Sequence, residues 1–278
     1  MPIGVTGSSG NLGGRIARLL ASEGVDQRLL LRSPAKAPDL PRAEVAQASY
    51  DDGAAVRRAL SGVEVALMVS GSESANRLDQ HRSFVDAAAE AGVRHLVYTS
   101  FYGAAADSTF TLARDHHHTE RYIEDSGMTW TFLRDNLYLD FFPLLAGEDG
   151  VLRGPANGGR VAAVAQDDIA AVATTVLLDP SSHERRTYDL TGPEALTLAE
   201  AAATLSQVLG REYSFHDESL EEAYASRASY GAPDWQVDAW VSTYTAIASG
   251  ELSRVTGDVE RVTGRAPLSL ADVLGDRA

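Results

Sequence analysis

Short apolar runs alternate with amphipathic stretches along most of this chain. Ile3 to Thr6 is apolar, Gly7-Ser8-Ser9-Gly10-Asn11-Leu12-Gly13 interrupts it, and an amphipathic run follows from Arg15 to Leu20. That order predicts a strand, a glycine turn and a helix. Leu29-Leu30-Leu31 is a second strand ending at Arg32, and Pro34, Pro38 and Pro41 then lead to a short third strand from Glu44 to Tyr50. Asp51-Asp52 caps a helix through Leu60, and Val63 to Val69 is a strand that empties into Ser70-Gly71-Ser72. A helix over Asn76 to Ala91 carries Phe84, Val85, Ala88 and Ala91 on one side and stops at Gly92. His95 to Ser100 reads as a fifth strand and Thr129 to Leu133 as a sixth, with a helix around Asp115 to Glu124 between them.

Strands and helices in strict alternation with short connections predict an α/β fold with a doubly wound parallel (Rossmann) sheet. Beyond Phe142 the rhythm loosens at Gly147, Gly150, Gly154, Gly158 and Gly159. A strand over Val161 to Val164, a helix capped by Asp167-Asp168 and a strand over Thr187 to Leu190 follow. From Thr197 on the pattern is helical, over Leu198 to Leu209, Leu220 to Tyr230, Asp234 to Ala248 and Leu268 to Leu274. The expected division is a nucleotide-binding domain over 1–142, with a return to its sheet near 160–191, and a smaller, mainly helical capping domain over 143–278.

The glycine turn carries the chemistry. In a strand, turn and helix unit the first glycine reverses the chain, the second lets backbone approach a pyrophosphate, and the third lets helix and strand pack closely. The helix amino end then faces the anion. Arg32, where the second strand reaches the adenosine ribose, pairs with a 2'-phosphate, whereas an acid there would bind a free hydroxyl. Arg32, with Lys36 as a second cation, therefore argues for NADP(H) over NAD(H). Ligands of such sheets bind at carboxyl ends of strands, so Ser70, Ser100 and Asn136 are expected to converge on one crevice.

Bulk properties narrow the partners. The 278 residues carry 24 basic against 39 acidic side chains, a formal charge of −15 that disfavours nucleic acid and anionic lipid. The absence of cysteine rules out disulfides and thiolate chemistry. No stretch is apolar for the ~20 residues of a membrane span, and no charged and apolar leader precedes the first strand, so a cytoplasmic protein is expected. The sole lysine is Lys36, with no tyrosine four positions before it. The tyrosine and lysine pair that serves alcohol oxidation in this fold is thus missing. What survives is hydride transfer to an acceptor needing little acid help, such as a quinone or another conjugated system.

Thr6-Gly7 through Gly13, Arg32-Ser33-Pro34-Ala35-Lys36, Tyr98-Thr99-Ser100, His116 with Thr119-Glu120, and Phe132 through Tyr138 together resemble the NmrA-like atypical short-chain dehydrogenases/reductases. Within them the likeness is to the NADPH:quinone oxidoreductase type 2 and triphenylmethane reductase branches, and it covers nearly the whole chain. The resemblance implies NADPH held by Gly7, Ser9, Gly10, Asn11, Leu12 and Arg32, with the nicotinamide near Ser70, Thr99 and Asn136 to Tyr138. It also implies a substrate pocket between the domains. Ser49 and Asp135 depart from the family's more usual aspartate and asparagine.

Tyr138 is a candidate proton donor and His116 a second. His116-His117-His118 is no metal site, because neighbouring helical positions point about 100° apart, and no metal is expected. Phe142 and Trp235 are candidate pocket residues, with Phe141 and Trp240 as further aromatics. The expected activity is NADPH-dependent reduction of a small conjugated acceptor. The alternatives are an NADP-sensing regulator without turnover and a reductase of a larger polyaromatic or imine substrate. The apolar last helices leave a homodimer open.

Overall fold

The apolar runs pair side by side in the computed structural model, which describes residues 1–275. The strands are β1 (Ile3–Thr6), β2 (Gln27–Leu31), β3 (Ala43–Gln47), β4 (Val65–Met68), β5 (His95–Phe101), β6 (Thr129–Asp135), β7 (Val151–Gly154), β8 (Arg160–Val161), β9 (Arg186–Leu190), β10 (Leu196–Thr197) and β11 (Ser214–Asp217). Seven of them form one sheet in the order β3-β2-β1-β4-β5-β6-β9, and the ladders from β3 to β5 are parallel. Every residue of β1 and β5 is buried, as a parallel sheet covered on both faces requires. The helices are α1 (Asn11–Ser22), α2 (Gly53–Ala59), α3 (Arg77–Ala91), α4 (Thr111–Asp125), α5 (Phe142–Leu145), α6 (Gln166–Leu178), α7 (Leu198–Leu209), α8 (Leu220–Arg227) and α9 (Asp234–Ser249), followed by two short ones. The expected doubly wound Rossmann sheet is therefore present.

The chain divides into two compact units. One comprises Met1–Phe101, Asp115–Arg134 and Asp167–Tyr188; the other comprises Tyr102–Arg114, Asp135–Gln166 and the chain from Asp189 on. In the first unit, Leu60, Met68, Phe84, Tyr98 and Phe132 anchor the core. Asp52 caps α2 by accepting from the Ala55 N–H at 2.9 Å, and Gly92, at φ 88°, closes α3 in the left-handed region that suits glycine. The second unit holds α7 and α8, each begun by a capping box, Thr197 with Glu200 and Ser219 with Glu222.

Several expectations change here. The strand foreseen over Val161 to Val164 shrinks to Arg160–Val161, because the next backbone groups bond to separate loops. The Ala162 N–H donates to Leu252, the Val164 N–H to Leu137, and the Ala163 carbonyl accepts from Gly192. The helix over Leu220 to Tyr230 tightens into a 3-10 turn over Ala228–Tyr230. Asp167 and Asp168 lie in the first turn of α6 rather than at its cap. The Asp140 carboxylate accepts from the Gln166 N–H at 2.8 Å, and Asp167 pairs with Arg15 at 2.7 Å. Strands β7 and β11, paired parallel across sixty residues of chain, carried no sequence signal.

Candidate active site

Strand order reverses between β1 and β4, and the glycine turn leaves the sheet there. Gly7 sits at φ 67°, and a Cβ on it would come within 3.0 Å of Val69. Gly13 meets the turn more tightly still. A Cβ there would fall 2.4 Å from the Gly7 carbonyl oxygen and 2.5 Å from its carbon. Gly10 is the extended N-cap of α1, no side chain caps that end, and no acid occupies its first turn. Ser9, Gly10 and Asn11 are exposed. A helix amino end with open N–H groups and no competing carboxylate is an anion site, so the turn fits a dinucleotide pyrophosphate. Arg32 and Lys36 are exposed at the carboxyl end of β2.

Polar side chains hold the strand ends around this turn. The Thr6 Oγ1 accepts from the Val69 N–H at 2.8 Å, and the Tyr50 hydroxyl donates to the Val69 carbonyl at 2.6 Å. The Ser70 N–H donates to Thr99 Oγ1 at 2.9 Å, tying the end of β4 to β5. The next residue is clamped from α3. The Gly71 N–H donates to His81 Nε2 at 2.9 Å, and Arg77 Nε donates to the Gly71 carbonyl at 3.0 Å. Sequence reasoning missed Arg77 and His81. Their spacing to Phe84 and Ala88 puts them on the buried face of α3, and that register was the available signal.

His116 belongs to the same buried cluster. Arg77 Nη2 lies 2.9 Å from its Nε2, and Tyr98 Oη lies 3.0 Å from its Nδ1. A guanidinium only donates, so Nε2 accepts and the ring proton is on Nδ1. By the same logic His81, whose Nε2 accepts from Gly71, donates from Nδ1 to Thr119 Oγ1 at 2.8 Å. Burial, and then the Arg77 cation, holds the His81 pKa down at about 3 and pushes that of His116 well below its ordinary value. Both rings are neutral struts. The expectation of His116 as a proton donor is corrected, since both ring nitrogens are engaged and the residue is buried. Its neighbours His117 and His118 have ring centroids 5.6 Å apart.

Ser100 is also redirected. It donates to Glu120 Oε1 at 2.6 Å, and Glu120 is gripped in two-pronged fashion by Arg134 at 2.8 and 2.6 Å. Successive strand residues face opposite sides of a sheet, so Thr99 and Ser100 do not serve one crevice. Asn136 is fully buried. Its amide donates to the Leu252 carbonyl at 3.0 Å and its side-chain oxygen accepts from the Leu137 N–H at 2.8 Å, so it holds backbone rather than ligand.

The second unit contains an apolar cavity of about 800 Å³. Tyr138, Phe141, Phe142, Tyr230, Trp240 and Tyr244 line it. Phe142 and Trp240 line this cavity, and Trp235 is not among its lining residues. Five positions apart on α9, the two indoles point about 140° apart around the helix. Trp240, Thr243, Tyr244 and Ile247 form the face that lines the cavity. Gly154 lets Tyr244 lie flat against the wall, for a Cβ there would fall 2.1 Å from the ring. Two cations line the cavity and both are compensated: Arg227 donates to Glu218 Oε2 at 2.9 Å and stacks 5.2 Å from the Tyr244 centroid, and Arg153 pairs with Asp149 at 2.6 Å. Tyr138 Oη lies 3.1 Å from Asp135 Oδ2, while Asp135 Oδ1 is buried without a hydrogen-bond partner among the described residues.

A reversing strand order, a turn in which Gly7 and Gly13 leave no room for a side chain and an open helix end define a nucleotide-binding Rossmann protein. Residues 7–180 match the NAD(P)H-binding family, and the chain belongs to it. It is 33% identical over 277 residues to quinone oxidoreductase 2 of Escherichia coli strain K12, covering 97% of this chain and 96% of that one. Among solved structures it is similar to an NADPH-dependent quinone oxidoreductase of Escherichia coli complexed with NADPH, at TM-score 0.90, 32% identity and 99% coverage of both chains. The triphenylmethane reductase of Citrobacter sp. complexed with NADP(H) matches at TM-score 0.86 and 30% identity, covering 100% of each chain. The chain is thus an NAD(P)H-dependent oxidoreductase. Among the described residues no helix is long and apolar enough to cross a membrane.

Proposed function

We propose that this enzyme uses NADPH to reduce a quinone or a similar flat conjugated acceptor. The observation that carries the reading is the aromatic cavity, about 800 Å³ in volume, in a chain that lacks the tyrosine and lysine pair of alcohol dehydrogenases. A cavity of that size holds a two- or three-ring acceptor, and aromatic walls favour stacking over hydrogen bonding. The quinone and dye reductases similar to this chain support the same class.

The nicotinamide cofactor supplies a hydride when bound. Gly7, Ser9, Asn11 and Leu12 would present backbone N–H groups to its pyrophosphate, and Gly10, whose own N–H donates to the Gly7 carbonyl at 2.9 Å, would let it approach the backbone. Arg32 and Lys36 would pair with the 2'-phosphate. Thr99 fixes Ser70, and His81 and Arg77 fix Gly71, at the end of β4, where the nicotinamide ring would lie. Phe142 and Trp240 would stack the acceptor, and Tyr138 is the one cavity residue in the Leu137–Phe142 segment with a transferable proton.

The test follows nicotinamide absorbance on adding naphthoquinones and cationic triphenylmethane dyes, with NADPH and then NADH. Rapid oxidation with a strong NADPH preference is the expected result. Tight NADPH binding without turnover toward any acceptor would overturn the reading in favour of a nucleotide sensor.

A further inference from the structure

The two classes of acceptor named above differ in what they need besides a hydride. A cationic triphenylmethane dye becomes a neutral leuco compound when its central carbon takes the hydride, and no proton enters. A quinone takes the same hydride and is left as an anion that must gain a proton on oxygen. An enzyme serving quinones therefore benefits from an acid beside the acceptor.

Asp135 ends β6 and is 1% exposed. One carboxyl oxygen, Oδ1, has no hydrogen-bond partner among the described residues, and no arginine, lysine or histidine is paired with the other. An ionised carboxylate so placed would be uncompensated, which folded proteins avoid by keeping the proton. Burial accordingly pushes the Asp135 pKa well above the ordinary carboxylate range, against the smaller opposing effect of the Tyr138 hydrogen bond. Among the described residues its carboxyl meets Tyr138 Oη at 3.1 Å, and Tyr138 lines the aromatic cavity. Tyr138 Oη donates to an ionised Asp135, whereas a protonated carboxyl can reverse that bond and donate to the phenol oxygen, so a proton passed on by Tyr138 is replaced from Asp135.

We infer that Asp135 is a proton store behind Tyr138, and that the two residues form a relay serving acceptors whose reduction ends on oxygen. The inference rests on the reductase reading above. As the acceptor anion forms, the Tyr138 O–H bond breaks and its proton passes to the acceptor oxygen. The Asp135 O–H bond breaks in turn and restores the phenol. Water entering the cavity after product leaves returns one proton through Tyr138 to Asp135. Each quinone has then gained one hydride and one solvent proton. Tyr138 touches the acceptor and is the catalytic member; Asp135 acts through it and is a positioning and storage residue.

The relay is tested in two ways with Asp135→Asn and Tyr138→Phe, each checked by thermal melting for an intact fold. Difference infrared spectroscopy of the ligand-free protein at neutral pH should show the carbonyl stretch of a protonated carboxyl that vanishes in Asp135→Asn. In turnover, the ratio of naphthoquinone to cationic dye reduction should fall at least about tenfold in both variants, the lower range of general acid effects. A merely structural role would slow both acceptors alike and leave that ratio unchanged. An unchanged ratio, or no protonated carboxyl band in the wild type, overturns the relay. A wild type that reduces neither acceptor overturns the reductase reading and the relay with it, and that silence tells the two failures apart.

Discussion

Gly10 and Gly13 occupy one turn and should fail differently when replaced by alanine. At Gly13 the new Cβ would sit 2.4 Å from the Gly7 oxygen, 2.5 Å from the Gly7 carbon and 2.8 Å from the Thr6 oxygen. All three are backbone atoms anchored by β1 in mid-sheet, so α1 must retreat by close to an ångström. Overpacking of this kind costs up to about 3 kcal/mol, and alanine's better helix propensity returns about 1. A net loss of about 2 kcal/mol in a chain this long lowers the melting temperature by roughly 4–8 °C. At Gly10 the nearest atom to a new Cβ is the Gly7 oxygen at 3.3 Å, and the backbone is already extended at φ −95°. Gly10→Ala should therefore cost only about 0.5–1 kcal/mol, chiefly through the N-cap. Its methyl group would nevertheless stand where a pyrophosphate must approach backbone. Thermal melting and NADPH titration by fluorescence separate the two effects. Gly13→Ala should lose stability and affinity together, while Gly10→Ala should keep most stability and lose at least about tenfold in affinity, a difference of about 1.4 kcal/mol. Equal affinity of Gly10→Ala and wild type would refute the placement of the cofactor at this helix end.

Three further outcomes follow from other parts of the structure. Arg32→Glu should weaken NADPH binding by roughly tenfold or more while leaving NADH nearly unaffected, since a charge-assisted phosphate contact contributes about 1.5–3 kcal/mol; calorimetric titration of both nucleotides reads the ratio. Trp240→Ala should raise the KM for a triphenylmethane dye by roughly tenfold through lost stacking, and Trp235→Ala should not, as steady-state kinetics will show. His81 is neutral when folded, with its pKa lowered to about 3, against about 6.5 in the unfolded chain. Its contribution is therefore complete above about pH 6.5 and is lost as pH falls toward 3, because only the unfolded state takes up the proton; between pH 7 and 5 this amounts to about 2 kcal/mol. Denaturant unfolding at those two values should show that much less pH dependence in His81→Gln.

The elements that position the turn were legible because their signals are local. The run Ile3 to Thr6, the glycines and the apolar face of α1 each declare themselves within a few residues, and Leu198 to Leu209 is bounded by its own capping box and Gly210. What escaped reading depends on partners far along the chain. Strands β7 and β11 are short and lie among glycine-rich loops, so neither shows a period. The polar roles of Ser100 and Asn136 turned on which way each residue faced. Ser100 reads as a crevice residue until Glu120 and Arg134 are seen to engage it, and Asn136 reads as a ligand contact until its amide meets Leu252. Trp235 and Trp240 differ only in helical phase, which cannot be set without knowing what α9 packs on. Asp135 stood out in the sequence as a departure from relatives, but its chemistry comes from burial, which no local pattern reports.

The segmented make-up of the two units bears on how the chain is synthesised and folded. The nucleotide-binding unit draws on three stretches, the last ending at Tyr188, and its sheet is completed by β9, which pairs with β6. Every residue through Leu190 must therefore leave the ribosome before that sheet has all its strands. Vectorial folding, in which an amino-terminal domain matures while the rest is still being made, is closed to such a path. A nascent chain stalled after α5 should present β6 as an unpaired edge and bind holdase chaperones until α6 and β9 emerge.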